Sequence, residues 1–176
     1  MLLKRFVRTF LLICLAGICF SFCKSEKKVN HAEKKSAVLV FSKTNGFRHD
    51  SIERGTETME AVGRDNGFEV VRTEDSTVFT ADYLKKFKAV IFLSTTGDIL
   101  NPAQQLAFEN YIQHGGGFVG IHAATDTEYD WPWYGKLAGA YFISHPVVQE
   151  ARFIVKDKKH PSTKFLTDSV WIHKDE

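Results

Sequence analysis

The stretch AVLVF, Ala37–Phe41, decides the fold, because its five side chains are all apolar. A strand with one face in water alternates apolar and polar residues, whereas a strand of a parallel sheet is covered on both faces and is apolar throughout. The run therefore predicts a strand buried inside a parallel sheet. A polar, turn-like segment, residues 42–49, follows at its carboxyl end.

Two helical patterns follow this strand and a later one. Asp50 and Glu53 predict a capping box at the start of the first helix, and Gly67 predicts its end. Asn101 predicts the start of the second helix, with Pro102 at its first position. The predicted core faces are Ile52, Met59 and Val62 in the first helix, and Ala103, Leu106, Ala107 and Tyr111 in the second.

Strands and helices alternate along the chain. Residues 68–71, 88–93 and 118–121 are short apolar runs that predict three more buried strands. This alternation predicts an α/β fold with a doubly wound, mostly parallel sheet in three layers, of flavodoxin-like type. Residues 147–155 and 169–173 predict later strands of the same domain.

The first 22 residues are unlike the rest. Lys4, Arg5 and Arg8 precede an apolar run at residues 10–20, which is typical of a secretory leader. A permanent membrane helix is the alternative, but the run is shorter than the roughly 20 residues that such a helix needs. We therefore expect residues 1–22 to be a signal peptide.

Cys23 follows the leader and opens a polar stretch, as in the processing sites of bacterial lipoproteins. The pattern predicts a lipid anchor on Cys23 and a membrane as one partner, with the protein at the cell envelope as a periplasmic or outer-membrane lipoprotein. Plain secretion is the alternative. Residues 23–36 carry many charges and predict a flexible tether to a folded domain at residues 37–176.

The charge of the exported part is close to neutral. The chain has 23 Lys+Arg and 21 Asp+Glu, and the leader contains three of the basic residues and none of the acidic ones, which leaves 20 against 21. The absence of a basic stripe argues against nucleic acid as a partner. All three cysteines, at positions 14, 19 and 23, precede the domain, so we expect no disulfide in it.

Polar clusters follow three predicted strands, at residues 44–50, 95–98 and 122–126. In an open α/β sheet the ligand crevice lies beyond the carboxyl ends of the strands. His122 resembles the projecting residue of a strand-to-helix elbow, because its neighbours are small. Its imidazole would act there as general base, general acid or metal ligand, with Asp126 as an orienting partner. The alternative is a histidine that caps the next helix or bonds within the core.

Further candidates flank these clusters. Arg48 and His49 at a helix start suit an anion or polar sugar groups; alternatively, Arg48 pairs with an acidic surface residue and His49 faces solvent. His145 lies in a loop that its neighbours constrain. Trp131 and Trp133 either stack on sugar rings or belong to a satellite core.

Familiar cofactor motifs are missing from the sequence. It contains no phosphate loop, dinucleotide fingerprint, cysteine-based metal site or Gly-x-Ser-x-Gly elbow. We therefore expect no nucleotide or flavin cofactor. A divalent metal stays open, with His122 and His145 as ligands from separate loops.

Three motifs of the domain occur together in a known family. They are TNGFRHDSI at residues 44–52, GGGFVGIH at residues 115–122 and GAYFISHP at residues 139–146. In combination they resemble the ThuA-like family, named for a trehalose-utilisation protein and part of the class I glutamine amidotransferase-like superfold. The amidotransferase relatives have a nucleophilic cysteine where this chain has His122. The resemblance therefore implies the superfold without glutaminase activity, because the acyl-enzyme needs a thiolate.

The resemblance also implies that such a domain continues past WIHKDE, residues 171–176, whose acidic residue belongs to the shared pattern. We therefore expect Glu176 to be a catalytic residue and the domain to be truncated at its C-terminus.

These observations lead to three hypotheses, with a small carbohydrate as the predicted partner and with the oligomeric state left open. The first is an enzyme at the cell envelope that acts on a disaccharide, a glycoside or an oxidised sugar. In it His122 is the acid/base or metal ligand, Asp126 and His145 are its partners, and Arg48 and His49 position the substrate. The second is a non-catalytic sugar-binding or scaffold lipoprotein. The third is metal-dependent hydrolysis.

Overall fold

The structure, a computed structural model, describes residues 35–175, with the backbone alone for Asp175. None of the helices in this range is long and apolar enough to cross a membrane. The elements, in chain order, are β1 (Ala37–Phe41), α1 (Ser51–Asn66), β2 (Glu69–Thr73), a 3₁₀ turn (Ser76–Val78), α2 (Ala81–Leu84), β3 (Ala89–Leu93), α3 (Pro102–Gln113), β4 (Gly117–Ile121), a second 3₁₀ turn (His122–Thr125), α4 (Pro132–Ala138), β5 (Gln149–Ile154) and β6 (Val170–Asp175).

The first four strands form one parallel sheet in the order β2-β1-β3-β4. Strand β1 lies between β2 and β3, with Leu39 opposite Val71 on one side and opposite Val90 on the other. The chain runs outward from β1 to β2, crosses back to β3 and then continues to β4. The predicted α/β fold with a doubly wound parallel sheet is confirmed, and its topological switch point lies between β1 and β3.

The sheet has a core on each face, because successive residues of a strand point to opposite sides. On one face Phe41 and Phe92 belong to a large cluster that includes side chains of α2, α3 and α4. On the other face Val40 and Ile91 form a smaller cluster with Met59 of α1. The sheet therefore lies between two helical layers, which is the predicted three-layer architecture.

Strand β4 is less buried than its apolar sequence indicates. Val119 is 45% exposed, so the prediction of a fourth buried strand is wrong. The reason is its place in the sheet: β4 pairs with β3, and within residues 35–175 no strand pairs with its other edge.

The two predicted later strands form, but they pair with each other. β5 and β6 make a separate antiparallel sheet, in which the rings of Phe153 and Trp171 stack with 5.6 Å between their centroids. The parallel sheet is therefore not extended by them within the described residues.

The sequence signals for helix ends were confirmed at two ends and were wrong at one. Asn101 accepts a hydrogen bond from the backbone N–H of Gln104, whose side chain bonds back to Asn101, in a complete capping box. Gly67 ends α1 in the left-handed conformation, with φ of +75°. The predicted capping box at Asp50 is wrong, because Asp50 makes no side-chain cap and the Glu53 carboxylate binds Arg48 instead.

The predicted core faces of the helices were partly wrong. Leu106 is 60% exposed, while Phe108 is fully buried and packs in the large cluster. Ala103 and Val62 are also exposed, whereas Ile52, Met59, Ala107 and Tyr111 contact the core as predicted. Helix α3 is thus rotated relative to the predicted stripe, so that its aromatic residue faces the sheet.

A buried carboxylate joins the loops that follow β3 and β4. Glu128 is 1% exposed, and its Oε1 accepts hydrogen bonds from the backbone N–H groups of Ile99 at 2.8 Å and Leu100 at 2.7 Å. The side-chain amide of Gln105 donates to its Oε2 at 2.6 Å. Burial raises the pKa of Glu128, and these three hydrogen bonds partly offset that rise. The carboxylate therefore satisfies donors that no strand or helix would serve.

Replacing Glu128 with alanine is expected to lower the free energy of unfolding by about 3 kcal/mol, because it leaves several buried donors without acceptors. Glu128→Gln is expected to cost less, since the amide oxygen still accepts from Ile99 and Leu100. Urea unfolding of both variants measures the two losses. Equal losses would contradict the assigned bonds.

The same variants have a distinct pH dependence. A carboxyl group whose pKa is raised by folding stabilises the fold when protonated, and this contribution is lost as the pH rises from about 4.3 through the raised value. The wild type should therefore lose stability relative to Glu128→Gln across that window. The control, Glu69→Gln, removes one exposed carboxylate from β2 and gives the background effect of losing a surface charge.

Candidate functional site

Three loops at the carboxyl edge of the sheet build the site. The loop after β1 is held to the loop after β3 by a bridge between Thr44 and Thr96, and the N–H of Asn45 donates to the Thr96 carbonyl at 2.8 Å. The buried Thr96 hydroxyl donates to the Phe47 carbonyl at 2.9 Å and accepts from the N–H of Gly46 at 3.2 Å. Thr96 thus fixes the loop that carries Phe47 and His49.

The loop after β4 is attached to the same strip of backbone. The N–H of Gly97 donates to the Asp126 carbonyl at 2.8 Å, and the N–H of Glu128 donates to the Gly97 carbonyl at 3.2 Å. Below this pairing, the buried hydroxyls of Thr95 and Thr127 are 2.9 Å apart. The positions of residues 122–128 are therefore set by β3 as well as by β4.

His122 stands at a left-handed turn directly after β4. Its φ is +53°, a value that residues other than glycine rarely adopt, and a 3₁₀ turn begins at the same residue. Small residues make the turn possible: Ala123 and Ala124 are buried below it, and a Cβ added at Gly120 would lie 3.2 Å from the Cβ of Ala124. The predicted elbow geometry is present in the structure.

The rings of His49 and His122 meet at this turn. Their centroids are 4.5 Å apart and the ring planes lie at 80°, so the edge of one ring faces the other. The ring of Phe47 contacts His49 from its own loop at 4.9 Å. The motif after β1 and the motif after β4, far apart in sequence, therefore share one site.

A pocket of about 390 Å³ opens around these two histidines. Asp126 and His145 contribute polar groups to it, and Phe142 and Phe47 contribute aromatic ones. Its volume lies in the roughly 300–1,000 Å³ range of small-molecule sites. We call it the strand-end pocket; its lining residues are Phe47, His49, His122, Ala123, Thr125, Asp126, Phe142 and His145.

Arg48, one of the predicted substrate-binding residues, lies outside this pocket. Its guanidinium binds Glu53 at 2.7 Å and Glu74 at 2.9 Å, and these bonds, with Glu74 first, raise the pKa of Arg48. The same bond with Arg48 lowers the pKa of Glu53. Arg48 therefore forms surface ion pairs, as in the alternative prediction. His49 does not follow that alternative, because its ring contacts His122.

Trp131 and Trp133 also lie elsewhere. Their rings stack on each other at 5.0 Å and pack against the large core cluster, where both contact the ring of Phe108. The two tryptophans therefore pack on the core, which is the alternative that the sequence left open. Their contact with a sugar, like that of Arg48, stays a prediction.

Two predicted residues lie outside the residues that the structure describes: Glu176, expected to be catalytic, and Cys23, expected to be lipidated. For the divalent metal, residues 35–175 contain no group of three or more His, Cys, Asp or Glu side chains arranged to hold an ion.

Sequence reasoning missed part of the pocket wall. Phe47 and Phe142 lie within two of the three family motifs, but the sequence predicted Trp131 and Trp133 as the aromatic contacts of a sugar. Tyr129 was not singled out, although its hydroxyl lies 2.6 Å from Oδ1 of Asp126 and 2.8 Å from the carbonyl of Phe142. Its position three residues after Asp126, on the same turn, was the available signal.

The left-handed turn makes a testable prediction about backbone strain. His122→Gly is expected to be more stable than His122→Ala by about 1 kcal/mol, because only glycine adopts this φ without a steric cost. At Thr58, an exposed position inside α1, the order should be the reverse, with alanine about 1 kcal/mol more stable than glycine. Urea unfolding of the four variants compares the pairs, and the same order at both positions would contradict the left-handed turn.

Comparison with known proteins gives the family and the fold. Residues 37–176 match the model of the ThuA family, described as trehalose utilisation. The structure resembles a ThuA-like protein from Bacteroides uniformis, with 24% identity, a TM-score of 0.68, and coverage of 84% of this chain and 62% of the other. A ThuA-like protein from Parabacteroides merdae has 21% identity, a TM-score of 0.61, and coverage of 80% and 61%.

The chain thus spans about three fifths of the length of these two relatives. Among curated proteins the comparison finds no match. The match to the family model extends over the whole sheet, the strand-end pocket and the β5–β6 hairpin. The chain therefore belongs to the ThuA family.

Proposed function

We propose that the strand-end pocket binds a small carbohydrate, a disaccharide or glycoside derivative, and that the protein acts on it by acid/base chemistry at the cell envelope. The observation that carries the proposal is the juxtaposition of His122 and His49 at the left-handed turn, in a pocket that also contains Asp126 and His145. The family description, trehalose utilisation, suggests the substrate class.

The pocket combines the two kinds of group that a sugar needs. Asp126 accepts hydrogen bonds from hydroxyl groups, and the imidazoles of His122 and His145 either donate or accept. The rings of Phe47 and Phe142 offer apolar faces, which suit the C–H face of a pyranose. A mixture of aromatic surface and a few convergent polar groups is usual in small-molecule sites.

His122 is the proposed acid/base group. An imidazole has one nitrogen that can donate a proton and one that can accept it, which suits a general acid or base. The left-handed backbone projects its ring at the strand end, and Asp126 at the end of the same 3₁₀ turn lines the same pocket. The ring of His49, on the loop after β1, contacts the ring of His122. The loops after β1 and β4 therefore each supply one histidine to the pocket.

Glutaminase chemistry is excluded from the proposal by the residue at the elbow. That reaction forms its acyl-enzyme on a thiolate, and imidazole is no substitute for it. Every cysteine of the chain lies at or before position 23, so residues 35–175 provide no thiol to the pocket.

Binding and turnover are tested together with a panel of disaccharides that begins with trehalose. Calorimetry is expected to detect binding of one sugar, and a product assay with it should detect turnover. His122→Ala should lower turnover by roughly 10²–10⁴-fold, the usual contribution of a general acid or base, while the circular dichroism spectrum is unchanged. Wild-type turnover in that variant would refute the assigned role.

The matched control is His173→Ala, at an exposed histidine on β6, which should keep full activity. If a sugar binds but no product forms, the proposed enzymatic activity is refuted and the second candidate function, a non-catalytic sugar-binding lipoprotein, is supported. No binding by any sugar in the panel would refute the carbohydrate proposal.

The proposed function includes export of the protein and its attachment to a membrane by a lipid on Cys23, because the protein would bind its substrate at the cell envelope. Their support is the sequence of the leader and Cys23. The protein, expressed in a bacterial host with radiolabelled palmitate, is expected to take up label, and Cys23→Ala should abolish the uptake. Cys19→Ala serves as the control and should be labelled like the wild type. An unlabelled wild-type protein would contradict the lipid anchor.

A further inference from the structure

One wall of the strand-end pocket comes from a segment that belongs to neither the sheet nor a helix. Residues 141–145, the wall segment, follow α4 and contribute Phe142 and His145 to the pocket. Their rings lie 6.0 Å apart. The N–H of Phe142 donates to the carbonyl of Thr125 at 2.9 Å, which attaches this segment to the turn after β4.

The hydroxyl of Tyr129 makes a second attachment. It lies 2.6 Å from Oδ1 of Asp126 and 2.8 Å from the carbonyl of Phe142. The hydroxyl has one proton, which it shares between these two acceptors in a three-centre hydrogen bond, with the carboxylate at the shorter distance. One phenol group therefore lies between a polar residue of the pocket and the backbone of its wall.

The ring of Tyr129 is itself held in place, although it is 43% exposed. It stacks on the ring of Tyr141, with centroids 5.2 Å apart and planes at 26°. The hydroxyl of Tyr141 lies 2.8 Å from the carbonyl of Trp131 and 3.0 Å from that of Glu128, so it is anchored to the loop fixed by the buried carboxylate. The two stacked tyrosines thus connect the wall segment to the core.

The protonation state of Tyr129 suits this arrangement. Desolvation, together with the hydrogen bond and the negative charge of Asp126, raises its pKa to about 12. The phenol is therefore neutral throughout the physiological range, and its proton is always available to an acceptor.

We propose that Tyr129 is a positioning residue of the strand-end pocket, whose hydroxyl sets the Asp126 carboxylate against the wall formed by Phe142 and His145. With Oδ1 occupied by the phenol, Asp126 presents its other oxygen to a ligand. The role in substrate binding rests on the proposed carbohydrate function, whereas the positioning itself does not.

A spectroscopic experiment tests the positioning without any ligand. The protein is labelled with 3-fluorotyrosine, and the fluorine resonance of residue 129 is assigned by its loss in Tyr129→Phe. Asp126→Asn should move this resonance, because the phenol loses its charged acceptor, and should leave that of Tyr111 in place. A resonance of residue 129 that does not move would overturn the proposal.

Hydrogen exchange tests the effect on the wall. In Tyr129→Phe the amide of Phe142 is expected to exchange roughly tenfold faster, because the carbonyl of the same residue loses the phenol as a donor and the wall segment opens more easily. The matched control is Tyr111→Phe, which removes a hydroxyl that lies 3.2 Å from the Phe87 carbonyl, outside the pocket. Equal exchange at Phe142 in the wild type and Tyr129→Phe would show that the hydroxyl does not hold the wall.

Calorimetry with trehalose, or with the sugar of the panel that binds best, tests the functional consequence. Tyr129→Phe should bind roughly tenfold more weakly, while Tyr111→Phe should bind like the wild type. Unchanged affinity would refute the substrate-positioning role. If the wild type binds no sugar, the carbohydrate function fails, and the fluorine and exchange measurements alone decide whether Tyr129 positions Asp126 and the wall.

Discussion

The site depends on the hydrogen bonds that the buried carboxylate of Glu128 accepts. The chain leaves β3 through a loop that cannot use the hydrogen bonds of the sheet, and the N–H groups of Ile99 and Leu100 are buried there. Burying such donors without acceptors is costly. Glu128 supplies the acceptor from the following loop, so the loops after β3 and β4 are satisfied only together. Desolvation of the carboxylate is the opposing cost, which its raised pKa records.

From this contact the site can be followed outward. The pairing of Gly97 with Asp126 and Glu128 sets the turn after β4, and Thr96 sets the loop after β1. The first attachment fixes His122 and Asp126, and the second fixes His49. The strand-end pocket is therefore positioned by backbone contacts between the three loops.

The sequence was sufficient to predict the parallel sheet and the turn at His122. The apolar runs predicted β1, β3 and β4 to within one residue, and the small neighbours of His122 predicted the elbow. Side-chain directions were not predictable, because they depend on distant contacts. Arg48 turns to Glu74, 26 residues away, and the tryptophans pack on Phe108 of another helix. The burial of Glu128 was missed for the same reason, since nothing local to Glu128 distinguishes it from a surface glutamate.

Backbone strain gives an independent reason to place function at this edge. Within residues 35–175, the residues other than glycine with positive φ are Ser94, His122 and Glu128, and all three follow β3 or β4 at the carboxyl edge of the sheet. Each costs about 1–2 kcal/mol relative to glycine. At Glu128 the buried hydrogen bonds account for the side chain. At His122 the ring packs edge-on against the ring of His49, so the strained residue joins the motif after β4 to the motif after β1. Strained backbone of this kind is concentrated at active sites and ligand clamps, so the left-handed turn that places this ring in the pocket with Asp126 and His145 supports the proposed site.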